Sequence, residues 1–236
     1  MDTVLLLHGF AGTAGSWDAF NEHLDRKRYR PLAPELRGHG QNGAVRPISS
    51  ELCVADLLAA APPRFTLAGY SLGGRIALQL ALAAPERIDR LVLISSSAGI
   101  ADDAERGARL SKDLALADEI EAGPITRFAD DWLAGPLFAN DEAEVNASAR
   151  AEILKNSPAN IAAALRGISI GRMEPLWPRL AEIAAPTTVV AGQSDGRYVE
   201  LAGQIADEID GGELEVIDGA GHALPRSAPE RLAALF

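Results

Sequence analysis

The chain has 236 residues, enough for one large domain with a sizeable buried core. Hydrophobic residues make up 47% of it and charged residues 23%, as is typical of globular proteins. Its net charge of -11 disfavours nucleic acid as a partner, so any attraction for an anionic ligand must come from local basic residues.

The single cysteine, Cys53, excludes an internal disulfide bond and is expected to be a buried apolar side chain. The apolar run Val4–Leu7 is too short for a signal peptide and lacks its flanking residues. No apolar stretch approaches the length of a membrane span. We therefore expect a cytoplasmic protein with no membrane-inserted segment.

Short apolar runs alternate with segments of helical periodicity in the first and last parts of the chain. Helices are predicted over Trp17–Leu24, Leu52–Ala60 and Arg75–Ala83. This alternation is typical of an α/β protein, a mostly parallel sheet with helices on both faces. The predicted strands are Val4–Leu7, Tyr29–Ala33, Phe65–Ala68, Arg90–Ile94, Thr187–Ala191 and Leu214–Ile217.

The alternation stops between about Ala98 and Pro178, where only helical patterns occur. Because this stretch lies between two predicted strands, we expect residues 98–178 to form a helical lid over the carboxyl ends of the strands. Residues 1–97 and 179–236 then form the core. The predicted lid helices are Ala104–Glu121, Ile125–Leu133, Asp141–Asn156 and Ala159–Ile170.

The segment Gly69–Gly73 fits G-x-S-x-G, in which a serine lies on a sharp turn between a strand and a helix. A predicted strand precedes it and a predicted helix follows it, which is the context this motif requires. The motif is typical of the α/β-hydrolase fold and makes Ser71 the candidate reactive group. The alternative is that Ser71 only caps the helix.

A reactive serine needs a histidine to take its proton and a carboxylate to orient that histidine. In α/β-hydrolases the chain order is serine, acid, histidine. Asp195 follows the predicted strand Thr187–Ala191, and His222 follows the last predicted strand. His222 could instead be a solvated loop histidine. The rival carboxylates are Asp207, Asp210 and Asp218.

The loop after the first strand supplies one backbone N–H to the oxyanion hole of this fold, and the residue after the serine supplies the other. These amides belong to Phe10 and Leu72 here. His8 is expected to be structural, and His39, in a turn near the same edge, is a lesser site candidate.

Arg75 lies four residues after Ser71, so both side chains share one face of the predicted helix. Helical side chains lean toward the amino terminus, so the guanidinium can reach back beside the serine. Its planar fork matches a carboxylate. The alternative is a surface arginine paired with a nearby acid.

Several segments together resemble one family among the α/β-hydrolases. The chain is similar over nearly its whole length to the 2-succinyl-6-hydroxy-2,4-cyclohexadiene-1-carboxylate synthases, the MenH family of menaquinone biosynthesis. The segments that carry this resemblance are Gly69–Arg75, His8–Thr13, Ser16-Trp17, Asp131–Ala139, Leu165–Gly167, Gly171–Trp177 and Gly221-His222.

The resemblance implies a lyase that eliminates pyruvate from 2-succinyl-5-enolpyruvyl-6-hydroxy-3-cyclohexene-1-carboxylate, a small anionic substrate. It implies no metal and no organic cofactor, with Ser71 as the base that His222 and Asp195 support. A monomer or weak homo-oligomer is expected. The substrate-binding residues it suggests are Tyr70, Arg75 and Trp132, then Arg109, with Arg106, Lys112 and Lys155 as weaker candidates.

Two other functions use the same residues. A serine hydrolase, either a carboxylesterase or a C–C bond hydrolase, would use the same triad to attack a carbonyl carbon. A non-catalytic receptor for a small molecule is the third possibility, and an intact triad argues against it.

Overall fold

The computed structural model describes residues 1–236 and is built around a six-stranded sheet. All neighbouring strands are parallel, in the order β2-β1-β3-β4-β5-β6. The predicted parallel α/β architecture is therefore confirmed. The strands are β1 (Asp2–Leu7), β2 (Tyr29–Leu32), β3 (Phe65–Tyr70), β4 (Ile88–Ile94), β5 (Thr187–Gly192) and β6 (Glu213–Ile217).

Ten α-helices connect and cover these strands. None of them combines the length and the apolar character that crossing a membrane requires. They are α1 (Asp18–His23), α2 (Ser50–Ala60), α3 (Leu72–Ala83), α4 (Asp103–Ala122), α5 (Ile125–Leu133), α6 (Ala143–Ile153), α7 (Pro158–Ile168), α8 (Gly196–Glu208), α9 (Leu224–Ser227) and α10 (Pro229–Ala233). Short 3-10 helices occur at Ala14–Trp17, Gly40–Asn42, Pro85–Arg87 and Trp177–Glu182.

The central strands are apolar on both sides because helices cover both faces of the sheet. In β1, Leu5 and Leu7 pack into the core on one face, and Val4 and Leu6 pack into the core on the other. All four side chains are fully buried, and each such burial stabilises the fold by about 1.5–3 kcal/mol. This two-sided burial explains why β1 is a continuous apolar run.

Helix α3 begins at Leu72, three residues before the predicted start at Arg75. Glycine is a poor helix former, so the sequence places Gly73 and Gly74 before the helix. In the structure both glycines belong to the helix, and their lack of side chains lets its first turn lie close to β1. A Cβ atom at Gly73 would lie 2.2 Å from the Leu7 carbonyl oxygen. The first turn of α3 thus depends on missing side chains to pack against β1.

Helix α6 is shorter than the predicted helix Asp141–Asn156. The Asn156 side chain, beyond its end, donates a hydrogen bond of 2.9 Å to the Ala11 carbonyl oxygen. Such polar side chains compete with the helix for backbone partners, so they favour helix ends.

Helices α4 to α7 all lie between β4 and β5. They enclose an apolar cluster of their own that includes Ile120, Phe128 and Ile161, and Ala11 of the loop after β1 joins it. Side chains of α4, α5 and α7 line a pocket together with residues that follow β1 and β3. The division into a core and a lid over residues 98–178 stays a prediction.

Candidate active site

Ser71 is the single residue between β3 and α3. Its φ of 54° and ψ of -112° lie where a side chain is strained, and its N–H donates a 2.9 Å hydrogen bond to the Ile94 carbonyl oxygen. The Ser71 carbonyl oxygen in turn accepts a 2.9 Å bond from the Ser96 hydroxyl. Bonds to the end of β4 and the loop after it therefore hold the strained turn in place.

The structure brings Ser71, His222 and Asp195 together from three separate loops. The Nε2 atom of His222 lies 3.2 Å from the Ser71 hydroxyl, and its Nδ1 atom lies 2.6 Å from an Asp195 carboxylate oxygen. With the proton on Nδ1 donated to the carboxylate, Nε2 is free to accept the serine proton. The geometry is that of a Ser-His-Asp triad.

Aromatic rings surround the His222 imidazole, which is 1% exposed. The ring centroids of Tyr198, Tyr70 and Phe138 lie 4.6, 5.4 and 5.7 Å from its own. Two of these rings come from the core and Phe138 from the segment between α5 and α6. They keep solvent away from the histidine and strengthen its hydrogen bond to Asp195.

The backbone N–H groups of Phe10 and Leu72 make no hydrogen bond within the protein. Both residues line the same pocket as Ser71. Buried amides without partners are rare, so two of them beside a serine are suited to stabilise negative charge on a bound ligand.

The pocket above Ser71 has a volume of ≈ 70 Å³ and is partly open to solvent. Apolar side chains of α4, α5 and α7 form much of its wall, and two arginines reach it, Arg75 and Arg109. The polar remainder consists mainly of hydroxyl groups. The hydroxyl-bearing lining residues are Ser71, Ser96, Ser97, Ser169 and Tyr198.

Arg75 has no carboxylate within 4.0 Å, and its one hydrogen bond is a long one of 3.4 Å to the Ile168 carbonyl oxygen. Burial lowers the pKa of Arg75 to about 10, and the proximity of Tyr198 opposes this shift. The guanidinium therefore stays charged at neutral pH. It is not the surface ion pair that was the alternative prediction.

Arg109 lines the pocket but already has an acidic partner. Its Nε atom donates a 2.8 Å hydrogen bond to Asp113, one helical turn along α4, and Asp113 also accepts a 2.6 Å bond from the Ser169 hydroxyl. Trp132 lines the pocket from α5, as the resemblance implies.

The structure does not place the other predicted basic residues in this lining. Arg106 forms an ion pair with Asp103, and Lys155 forms one with the buried Glu152. Lys112 is exposed on α4. For Arg106 and Lys112 the reason is that only one face of α4 meets the pocket. Lys155 lies beyond the end of α6, a helix that does not line this pocket.

Tyr70 lies outside the pocket above Ser71 and instead lines a smaller cavity beside it. Burial raises the pKa of its hydroxyl above the usual range for tyrosine. Its ring contacts His222.

Sequence reasoning missed Ser96, Ser97, Ser169 and Tyr198 as lining residues. The sequence positions of Ser96, Ser97 and Tyr198 could have indicated their place in the pocket. Ser96 and Ser97 directly follow β4, and Tyr198 lies in the first turn of the helix after Asp195. Residues at the carboxyl ends of parallel strands meet at one edge of the sheet. The structure contains no group of three or more His, Cys, Asp or Glu side chains that could hold a metal ion.

A family model described as the alpha/beta hydrolase family matches residues 4–235. A 2-succinyl-6-hydroxy-2,4-cyclohexadiene-1-carboxylate synthase from Serratia proteamaculans is 30% identical, over 98% of this chain and 90% of its own. One from Salmonella agona is 28% identical, over 96% of this chain and 89% of its own.

Two solved structures are similar over the whole chain. MenH from S. aureus has a TM-score of 0.91 at 30% identity, covering 99% of this chain and 91% of its own. A malate-bound thermophilic esterase from Thermogutta terrifontis has a TM-score of 0.87 at 26% identity, covering 100% and 88%. The predicted fold is thus confirmed: the chain belongs to the alpha/beta hydrolase family and, within it, to the 2-succinyl-6-hydroxy-2,4-cyclohexadiene-1-carboxylate synthases.

Proposed function

We propose that this protein is a lyase of menaquinone biosynthesis. It eliminates pyruvate from 2-succinyl-5-enolpyruvyl-6-hydroxy-3-cyclohexene-1-carboxylate and yields 2-succinyl-6-hydroxy-2,4-cyclohexadiene-1-carboxylate. The observation that carries this proposal is an arginine without a carboxylate partner, Arg75, in the same pocket as Ser71. A simple ester needs no such cation, whereas a substrate with several carboxylates does.

The triad provides the base for this reaction. His222 takes the hydroxyl proton of Ser71, and the serine oxygen takes a proton from the cyclohexene ring. The electron pair of that C–H bond moves through the ring double bond. The C–O bond to the enolpyruvyl group then breaks, and the departing enolate gains a proton to become pyruvate. Asp195 stabilises the imidazolium ion that forms at His222.

Negative charge develops on the substrate when the ring proton leaves. The Phe10 and Leu72 amides, which have no internal acceptor, are suited to hold an oxygen that carries this charge. Arg75 fixes a carboxylate near Ser71, and the Trp132 ring packs on the substrate from α5. Positioning of this kind lowers the barrier by holding the ring C–H bond near the base.

The test is to incubate the protein with this substrate and measure the pyruvate released, with Ser71→Ala as the matched control. We expect release from the parent protein and a loss of roughly 10²–10⁴-fold in the variant, as is typical when a base is removed. The proposal is wrong if no pyruvate appears and the protein rapidly hydrolyses p-nitrophenyl acetate.

A carboxylesterase or C–C bond hydrolase with the same triad is the second candidate. The similarity to the Thermogutta terrifontis esterase favours it. The unpaired Arg75 favours the lyase. Three further properties remain predictions: the small anionic substrate, the cytoplasmic location and the monomeric or weakly oligomeric state. Sedimentation velocity measures the oligomeric state.

A further inference from the structure

A second arginine without a carboxylate partner lies on α9, the short helix that begins two residues after the catalytic histidine. Arg226 follows His222 by four residues, the same spacing as Arg75 from Ser71. Its Nη2 atom donates a 3.0 Å hydrogen bond to the buried Ser16 hydroxyl, and no carboxylate lies within 4.0 Å. The acids that act on it from farther away are Glu152, Asp18 and Asp141.

Glu152 does not compete for Arg226 at close range because other groups already occupy its carboxylate. It accepts a hydrogen bond from the Thr13 hydroxyl and forms an ion pair with Lys155. Burial lowers the pKa of Arg226, but guanidinium remains charged at neutral pH. Since a buried guanidinium without a directly paired carboxylate is costly, an anion bound next to Arg226 would stabilise its charge in addition to these more distant acids.

Arg226 lines a small cavity of ≈ 30 Å³, together with the loop after β1 and the phenol ring of Tyr70. The Tyr70 hydroxyl makes no hydrogen bond within the protein, so it is free to donate one to a ligand. The cavity therefore combines a cation with two hydroxyl groups, those of Tyr70 and Ser16.

This combination repeats the one found in the pocket above Ser71. There Arg75 lies near Tyr198, whose hydroxyl likewise has no internal partner. Both tyrosine rings contact the imidazole of His222. Each cavity thus combines an arginine with a tyrosine whose ring contacts the catalytic histidine.

The two cavities have only Phe10 and Trp132 in common among their lining residues. These two rings pack edge to face, with centroids 5.5 Å apart. The two cavities therefore adjoin at this pair of aromatic side chains. A ligand that extended past the pair would bring one carboxylate to each arginine.

We propose that Arg226, Ser16 and Tyr70 form a second carboxylate subsite, which holds one carboxylate of the substrate while Arg75 holds another. The anion site stands on its own geometry. Its assignment to the lyase substrate rests on the proposed function.

The first experiment measures binding and requires no turnover. Pyruvate is titrated at constant ionic strength into Arg75→Met, in which Arg226 is the remaining unpaired cation of the two cavities, and into Arg75→Met/Arg226→Met. We expect the second substitution to weaken pyruvate binding by about tenfold or more. Arg231→Met in the Arg75→Met background is the matched control and should leave the affinity unchanged, because Arg231 is exposed and contacts only the Asp218 carbonyl oxygen.

Arg226→Lys keeps the charge and the aliphatic stem, and thermal unfolding verifies that each variant folds. Lysine lacks the planar fork, so we expect this variant to retain part of the affinity. The subsite proposal is wrong if pyruvate does not bind to Arg75→Met, or if it binds equally well after Arg226→Met.

The second experiment separates the subsite from the proposed function. With the full substrate, we expect Arg226→Met to raise KM by about tenfold or more and to affect kcat less. If binding of pyruvate depends on Arg226 but the parent releases no pyruvate from the substrate, only the lyase function is wrong. If the parent is an active lyase and Arg226→Met leaves both KM and pyruvate binding unchanged, only the subsite is wrong.

Discussion

At the scale of single residues, Ser71 has a backbone conformation that suits glycine better than serine. Its positive φ costs of order 1–3 kcal/mol. The hydrogen bonds of its backbone to Ile94 and Ser96 maintain this conformation. The strain presents the hydroxyl to His222, so a functional geometry is obtained at the expense of stability.

Ser71→Gly should therefore stabilise the fold by about 1 kcal/mol while abolishing activity, because glycine adopts this φ without strain. Thermal unfolding should show a rise in Tm of about 2–4 °C for a chain of this size. Ser111→Gly, in the exposed middle of α4, is the control and should lower stability by about 0.5 kcal/mol. A fall in Tm for Ser71→Gly would contradict the strain argument.

The two arginines of the pocket above Ser71 differ in what surrounds them. Arg75 has no acidic partner, whereas Asp113 pairs with Arg109. We expect Arg75→Ala to lower kcat/KM for the proposed substrate by roughly a hundredfold or more. Arg109→Ala should have a clearly smaller effect, and steady-state kinetics compare the two. Equal losses would show that the ion pair with Asp113 does not limit the contribution of Arg109.

At the scale of elements, the turn between β3 and α3 depends on how closely helix and sheet approach. The apolar runs predict all six strands. The four central strands carry little else because they are buried on both faces, whereas the edge strands β2 and β6 are only partly buried. The early start of α3 has no such signal. A glycine is needed at position 73 of the helix because β1 leaves no room there for a Cβ atom. This requirement arises from a contact between segments that are distant in the chain.

Two glycine substitutions should therefore have opposite effects on stability. Gly73→Ala would place a Cβ atom 2.2 Å from the Leu7 carbonyl oxygen, a backbone atom that cannot move alone, so we expect a loss of about 3 kcal/mol or more. Gly107→Ala, within α4, meets nothing within 4 Å and should stabilise the protein by about 0.5–1 kcal/mol. Urea denaturation measures both. Similar free energies of unfolding for the two variants would exclude this explanation of the turn.

At the scale of the whole molecule, the interior contains two histidines that fold in the neutral form. His8 and His39 are fully buried, with ring centroids 5.0 Å apart. Burial and, to a smaller extent, the neighbouring His8 together lower the pKa of His39 to about 3. Burial also lowers the pKa of His8. Their protonation is therefore coupled to unfolding.

The sign of the pH dependence follows from these shifts. Above the ordinary histidine pKa of 6.5, His39 is neutral in both states and contributes no pH dependence. As the pH falls below that value, the unfolded chain binds a proton that the folded protein does not. The free energy of unfolding should then decrease by up to about 1.4 kcal/mol per pH unit for this residue.

Urea denaturation from about pH 7 to about pH 5 measures this slope, with His39→Gln as the comparison. The variant should show a shallower decrease and should retain the part that His8 contributes. Identical slopes for the parent and the variant would mean that His39 takes up no extra proton on unfolding.

The sequence by itself determined the parallel sheet, the elbow and the candidates Ser71 and His222, and the structure singled out Asp195 among the rival carboxylates. Strand periodicity and the G-x-S-x-G motif are local, and the order serine, acid, histidine can be read along the chain. It also determined that Arg75 shares a helix face with Ser71, because a spacing of four residues fixes this.

Only the tertiary structure decided which of the other basic residues reach the two cavities. Arg109 and Lys112 are three residues apart on α4, yet one lines the pocket and the other is exposed. Arg226 lines a different cavity, beside Tyr70. The physical reason is that packing orients a helix and pairs its charges, and packing depends on contacts between segments far apart in the chain.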